Sequence, residues 1–172
     1  MAEIYYFPIC KGDKHMGEAS VLDIANFFLK SVDRESGGSI THLKLQKLIY
    51  YAQGWHLAFV GSPMFKSKIE AWVHGPVCPE LYTVYAGSGF INLEEPDWPL
   101  YPFSSEQTET LEAVWKAYGD YDGKYLEELT HQEDPWQEAR RGIAPWEHCN
   151  NEITIDSMKK YFMGLLENGQ GN

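Results

Sequence analysis

The side chains in this 172-residue chain that could do chemistry are six histidines (His15, His42, His56, His74, His131 and His148), three cysteines (Cys10, Cys78 and Cys149) and two acidic pairs, Glu127-Glu128 and Glu133-Asp134. A metal site needs several such ligands at suitable spacing. Only His148 and Cys149 are neighbours here, and adjacent residues rarely reach one ion together. The cysteines are too few and too scattered for a disulfide framework or a CxxC site. The sequence has no Walker loop, no GxGxxG fingerprint, no HExxH and no GxSxG elbow. Cys78 and His74 are the types a Cys–His hydrolase needs, but nothing in their spacing brings them together productively. The acidic pairs read as solvated charge in or beside a helix, with no second cluster for two-metal chemistry. The expectation is therefore a chain that is not an enzyme, with no catalytic, cofactor-binding or metal-binding residues.

Bulk composition narrows the classes further. Fourteen basic against 25 acidic residues leave a formal charge of −11. Nucleic-acid binding draws its affinity from Lys and Arg neutralising phosphates, so this balance argues against DNA or RNA as the main partner. It suits solubility and attraction to a basic protein instead. Hydrophobic residues make up 44%, with 6 Trp, 11 Tyr and 8 Phe, enough for a real core. No secretory leader or bilayer-spanning apolar run is visible, so the expected location is cytoplasmic, with no membrane contact.

Hydrophobic spacing supplies the elements. Ser20 and Asp23 open a helix whose Val21, Ile24, Ala25, Phe28, Leu29 and Val32 share one side. From about Thr41 to Val60 a second helix gathers Leu45, Leu48, Ile49, Ala52, Trp55, His56 and Phe59 on one face. Leu43, Tyr50 and Leu57 form another stripe roughly opposite. A helix apolar on two sides is sandwiched between layers, which makes this one the spine of the fold. On it, His56 is expected to be a buried histidine satisfied by a hydrogen bond.

After Gly61, residues 69–74 alternate: Ile69, Ala71 and Val73 on one face, Glu70, Trp72 and His74 on the other. Gly75-Pro76-Val77 turns the chain, and Pro79 starts a brief helix through Leu81, Tyr82 and Tyr85. Residues 87–103 hold too many Gly and Pro for regular structure, yet carry Phe90, Ile91, Trp98, Tyr101 and Phe103. These aromatics either drape over the core or contact a partner. Ser104 with Gln107 opens a helix burying Leu111, Val114, Trp115 and Tyr118. Another helix runs through Tyr125, Leu126 and Leu129. Asp134-Pro135-Trp136 reads as a cap and first turn, with Arg140-Arg141-Gly142 at the far end, and a last helix starts near Asp156. The predicted fold is mainly α: a single-domain bundle of about seven helices around a central buried helix, with one or two short β-strands. Its expected parts are an N-terminal arm (1–18), the helical domain (19–167) and a frayed tail (168–172).

Read in order, Leu45-Gln46-Lys47-Leu48, Tyr50-Tyr51, Gln53-Gly54-Trp55-His56, Glu70-Ala71-Trp72 and Gly75-Pro76-Val77 resemble the Panacea domain of phage- and prophage-associated bacterial proteins. Leu129-Thr130-His131 followed by Pro135-Trp136 looks like that family's second motif. The resemblance covers roughly residues 18–165; the N-terminal arm and the 87–103 segment depart from the pattern. It implies an antitoxin of a bacterial toxin–antitoxin pair, neutralising its cognate toxin by direct protein contact, with no cofactor. The alternative is an adaptor or regulator on the same scaffold, delivering a client to a protease or binding promoter DNA. Exposed aromatics are good interface anchors. Glu70, Trp72, His74, Trp98 and Tyr101 are accordingly the expected partner-binding residues. For Trp72 two readings stand open, outward-facing anchor or packing beneath the spine helix. His74 either meets the partner or fixes the turn.

Overall fold

The computed structural model describes residues 18–169; the expected N-terminal arm, apart from Glu18, and residues 170–172 of the tail lie outside the described residues. Ser20 opens α1 (Val21–Ser31) with a complete capping box. Its Oγ accepts from the Asp23 N–H, and Asp23 Oδ2 accepts from the Ser20 N–H at 2.8 Å. The predicted face of α1 is buried.

Thr41 caps α2 (His42–Val60), and α2 is the spine. It touches α1, α3 (Pro79–Tyr85), α4 (Ser105–Tyr118), α5 (Gly123–His131) and α7 (Ile155–Gly169). Leu45, Leu48, Ile49, Tyr50, Tyr51, Ala52 and Leu57 are completely buried. Each such aliphatic burial is worth about 1.5–3 kcal/mol. Burial exceeds what two apolar stripes require, since Lys44, Gln46, Lys47, Gln53 and His56 are buried too. Leu43 and Phe59, at the ends of the stripes, are only partly covered.

Gly54 explains how α7 comes so close. A Cβ at this position would lie 2.1 Å from the Phe162 ring. Glycine inside a helix costs roughly 1 kcal/mol relative to alanine. In return the Phe162 ring reaches Tyr50, Tyr51 and Trp55 at centroid distances of 5.6, 6.2 and 5.2 Å.

The extended region forms an antiparallel hairpin of β1 (Glu70–Trp72) and β2 (Gly75–Val77), in register Glu70 to Val77, Ala71 to Pro76 and Trp72 to Gly75. On the outer side of β1, the Ala71 N–H donates to the Asn151 carbonyl and the Ile153 N–H to the Ile69 carbonyl. The 87–103 segment opens with a short 3-10 turn, Ala86–Ser88, and then crosses α1. Ser104 and Gln107 form the predicted capping box of α4. The fold class is the predicted one: among the described residues, seven α-helices and a two-stranded antiparallel sheet.

One cap is placed differently. Asp134, read as a cap, is the first residue of α6 (Asp134–Ala139), and Glu133 occupies the cap position without capping through its side chain. Its carboxylate is engaged elsewhere. The last helix continues through Asn168 to Gly169.

Candidate partner-binding site

Four polar side chains buried on α2, Gln46, Lys47, Gln53 and His56, satisfy the backbone of the non-helical return between Ser62 and Cys78, while Lys44 donates to the Gly119 carbonyl. His56 Nδ1 lies 2.7 Å from the Ser62 carbonyl, so it carries the proton, and burial holds the ring below its ordinary pKa. Gln53 accepts from the Met64 N–H at 2.8 Å and donates to the Phe65 carbonyl at 2.9 Å. Lys47 donates to the Pro76 carbonyl at 3.0 Å. Gln46 accepts from the Cys78 N–H at 2.8 Å and donates to the Cys78 carbonyl at 3.3 Å. A primary amide offers both a donor and an acceptor, so it stands in for a neighbouring strand. Buried backbone without partners costs free energy comparable to lost hydrogen bonds, so the return could not lie against a purely apolar helix.

The turn of the hairpin is seated on this frame. Val73 and His74 make the turn, and Gly75 follows with φ +93°, a conformation that favours glycine. Space demands glycine as well: a Cβ there would stand 2.8 Å from both Lys47 Cε and Thr130 Oγ1. Burial pushes Lys47 down to about 7, partly opposed by the negative charge of Glu127. His74 Nδ1 lies 3.2 Å from Glu127 Oε1, and Lys124 Nζ lies 2.9 Å from the same oxygen. Burial alone would raise Glu127. The Lys124 and His74 contacts outweigh it, and the carboxyl ends below its usual value. The His74 side chain itself is 73% exposed. It is both tethered at the turn and displayed.

The acidic pairs therefore require a correction. Glu128 and Asp134 are solvated, but Glu127 and Glu133 are buried. Tyr50 and Tyr51 donate to the two oxygens of Glu133, each at 2.9 Å. Burial raises this carboxyl to about 7 despite both phenol donors. A buried tyrosine hydroxyl normally finds a partner. The adjacent Tyr50-Tyr51 inside an apolar helix was thus the sequence signal that an acceptor must sit opposite. Nothing in the local sequence named Glu133 as that acceptor.

The second motif locks the hairpin from its other flank. Trp136 donates from Nε1 to the Trp72 carbonyl at 2.9 Å, and His131 stacks on the Trp136 ring at 4.2 Å. Arg140 is buried, lies over the Trp136 ring, and donates to the carbonyls of Ala71, Ala144, Pro145 and Glu147. Sequence reasoning placed Arg140 at a helix end for its charge; its larger structural use is to gather four carbonyls. Pro135 is buried in the first turn of α6.

On the outer side, Trp72 is half-buried. Its ring lies 4.8 Å from Tyr82 of α3, and its indole N–H donates to Glu70 Oε2 at 2.7 Å. Glu70, Trp72 and His74 thus sit together on one hairpin. Trp98 and Tyr101 belong to the segment across α1: Trp98 is 49% exposed, whereas Tyr101 packs on Phe103, which packs on Phe27. Cys78 is buried, and burial pushes its thiol above its ordinary pKa. Among the described residues, no three His, Cys, Asp or Glu side chains gather as a metal site would require. No described helix is long and apolar enough to cross a membrane.

These features define a class: a small helical scaffold that holds a polar-framed hairpin against a buried central helix. The family model for the antitoxin SocA-like, Panacea domain matches residues 45–137, from the first buried turn of α2 to α6. The chain belongs to that family. Antitoxin SocA from Caulobacter vibrioides (strain NA1000 / CB15N) is 42% identical over 50 residues, which are 29% of this chain and 27% of that protein. The matched stretch thus spans about a quarter of that relative's length. No solved structure matches.

Proposed function

We propose that this protein is an antitoxin that neutralises a protein toxin by direct contact, without catalysis, and that Glu70, Trp72 and His74 on the hairpin meet the toxin. The reading is supported by family membership and carried by one structural observation: the hairpin is anchored from beneath by Lys47, Trp136 and Arg140 while, on its outer side, His74 is exposed and Glu70 and Trp72 are half-exposed. A surface ordered before binding loses little conformational entropy on contact, which favours tight association. The formal charge of −11 adds long-range attraction to a basic toxin and disfavours promoter binding by this chain. Trp98 and Tyr101 are a second contact region in this proposal, of which Trp98 offers more free surface.

The test is co-expression with the product of the neighbouring reading frame. That product alone should arrest growth, and this chain should restore it. Replacing Trp72 and His74 together by alanine should abolish the rescue while the thermal melt stays within a few degrees. Full rescue by the double variant would remove the hairpin from the interface. A collapsed melt would show that the two residues act in the core.

A further inference from the structure

The hairpin face has a chemistry of its own that goes beyond being a rigid surface. Trp72 and Tyr82 form a partly exposed pair of rings, and Tyr82 is 38% open. The Glu70 carboxylate is held at the edge of the indole by the bond from Trp72 Nε1. Glu80, on the first turn of α3, accepts from Ser67 Oγ. Glu80 stands two residues from Tyr82 on α3, so its side chain leaves the helix on another face and is not part of the ridge. Neither carboxylate has a cation within ion-pair distance among the described residues. The lysines closest in sequence are already engaged, Lys66 with Glu18 and Lys68 with Glu152.

Resting on the antitoxin reading, we propose that the Trp72–Tyr82 ridge with Glu70 receives an arginine-bearing basic segment of the partner protein. An aromatic face attracts a cation placed over it, and most strongly when the ring is that of tryptophan. A guanidinium stacked on the indole can donate sideways, and a carboxylate fixed at the ring edge is where those donors point. Lysine can use the charge but not the flat stacking or the paired donors. The acceptor is ordered before the ligand arrives, because the indole orients Glu70 while Trp136 holds the Trp72 carbonyl. The Glu70 carboxylate, without an ion-pair partner among the described residues, and the formal charge of −11 supply the complementarity.

The full chain, labelled with nitrogen-15, is titrated with the peptide Ac-Gly-Arg-Gly-Arg-Gly-NH2 and with its lysine and glutamate counterparts. The six tryptophan indole resonances are followed, and Trp72→Phe assigns the relevant one. The Trp72 signal should shift saturably with the arginine peptide, more weakly with lysine and not with glutamate. Glu70→Gln should weaken arginine binding roughly threefold to tenfold, and Tyr82→Leu comparably, with unchanged melts. Shifts at the exposed Trp98 or Trp146 indoles as large as at Trp72, or an unaltered affinity in Glu70→Gln, would overturn the proposal. If the hairpin variant loses toxin rescue while the arginine peptide leaves Trp72 unmoved, the basic-segment inference falls and the antitoxin reading stands. If the peptide binds as expected but the chain rescues nothing, the antitoxin reading falls instead.

Discussion

The hairpin and the 87–103 segment both present aromatics to solvent, but they are held in different ways. Beneath the hairpin lie a buried lysine, a buried arginine, a tryptophan indole and the Gln46 amide, contributed by α2, α6 and its C-terminal end. The segment is tied to α1 by Lys30 and Asn26 reaching the Pro96 and Pro99 carbonyls, and by a Lys30–Glu95 ion pair at 3.2 Å. Its Phe90, 92% exposed, has almost nothing around it. Exposure of aromatic surface by itself therefore does not tell how firmly the backbone behind it is held. What separates the two regions is the number of buried polar groups that fix the backbone behind the exposed rings.

The sharpest way to break the contrast is to remove one anchor from each region. Arg140→Ala leaves four carbonyls without their shared donor and should cost about 2–4 kcal/mol in a denaturant titration. Lys30→Ala removes one part-buried hydrogen bond and an ion pair to the half-exposed Glu95, and should cost about 1 kcal/mol. Equal losses would show that the segment is as firmly built as the hairpin.

A second, intermediate effect is the pH dependence of the buried frame. Glu133 titrates near 7 in the fold against an ordinary value of 4.5. Between these values the folded chain keeps a proton that the unfolded chain has released, so this group's contribution to stability falls as pH rises. Lys47, near 7 against 10.5, behaves oppositely. Above pH 7 the unfolded chain holds the extra proton, and stability rises with pH. His42, His56 and His131, all lowered first by burial, oppose the acid limb. The readout is thus the difference between wild type and variant in melts from pH 5 to 9. Glu133→Gln should remove the part of stability that declines from pH 5 to 7, and Lys47→Met the part that grows from pH 7 to 9. Superimposable profiles would mean that neither group is dehydrated as described.

The smallest effect should come from the segment's exposed tip. Phe90→Ser with Ile91→Ser should change stability by no more than about 0.5 kcal/mol. A larger loss would mean that this tip packs on something in solution.

The chain's own spacing was enough to reveal α2 as the spine, because a helix with apolar stripes on opposite sides has nowhere to put both except between layers. The capping boxes at Ser20 and Ser104 were legible for the same local reason, their partners standing three residues away. The alternation through Glu70, Ala71 and Trp72 marked the strand, but Gly75-Pro76, read as the turn, opens β2, and the turn itself is Val73-His74. Glu127 and Glu133 were misread because each lies beside a solvated acid, and sequence adjacency cannot show which of two neighbours points inward. Their partners are contributed by other elements: Tyr50 and Tyr51 meet Glu133, and His74 meets Glu127. The use of Gln46, Lys47 and Gln53 was hidden likewise, since a polar residue on a helix shows its purpose only when the backbone it must satisfy has been folded against it; His56 was legible as a buried, hydrogen-bonded histidine, but not its partner Ser62. Local periodicity, in short, determined the elements and the spine. Burial and long-range hydrogen bonding, which depend on every other part of the chain, decided which polar groups hold the hairpin and which are left at the surface.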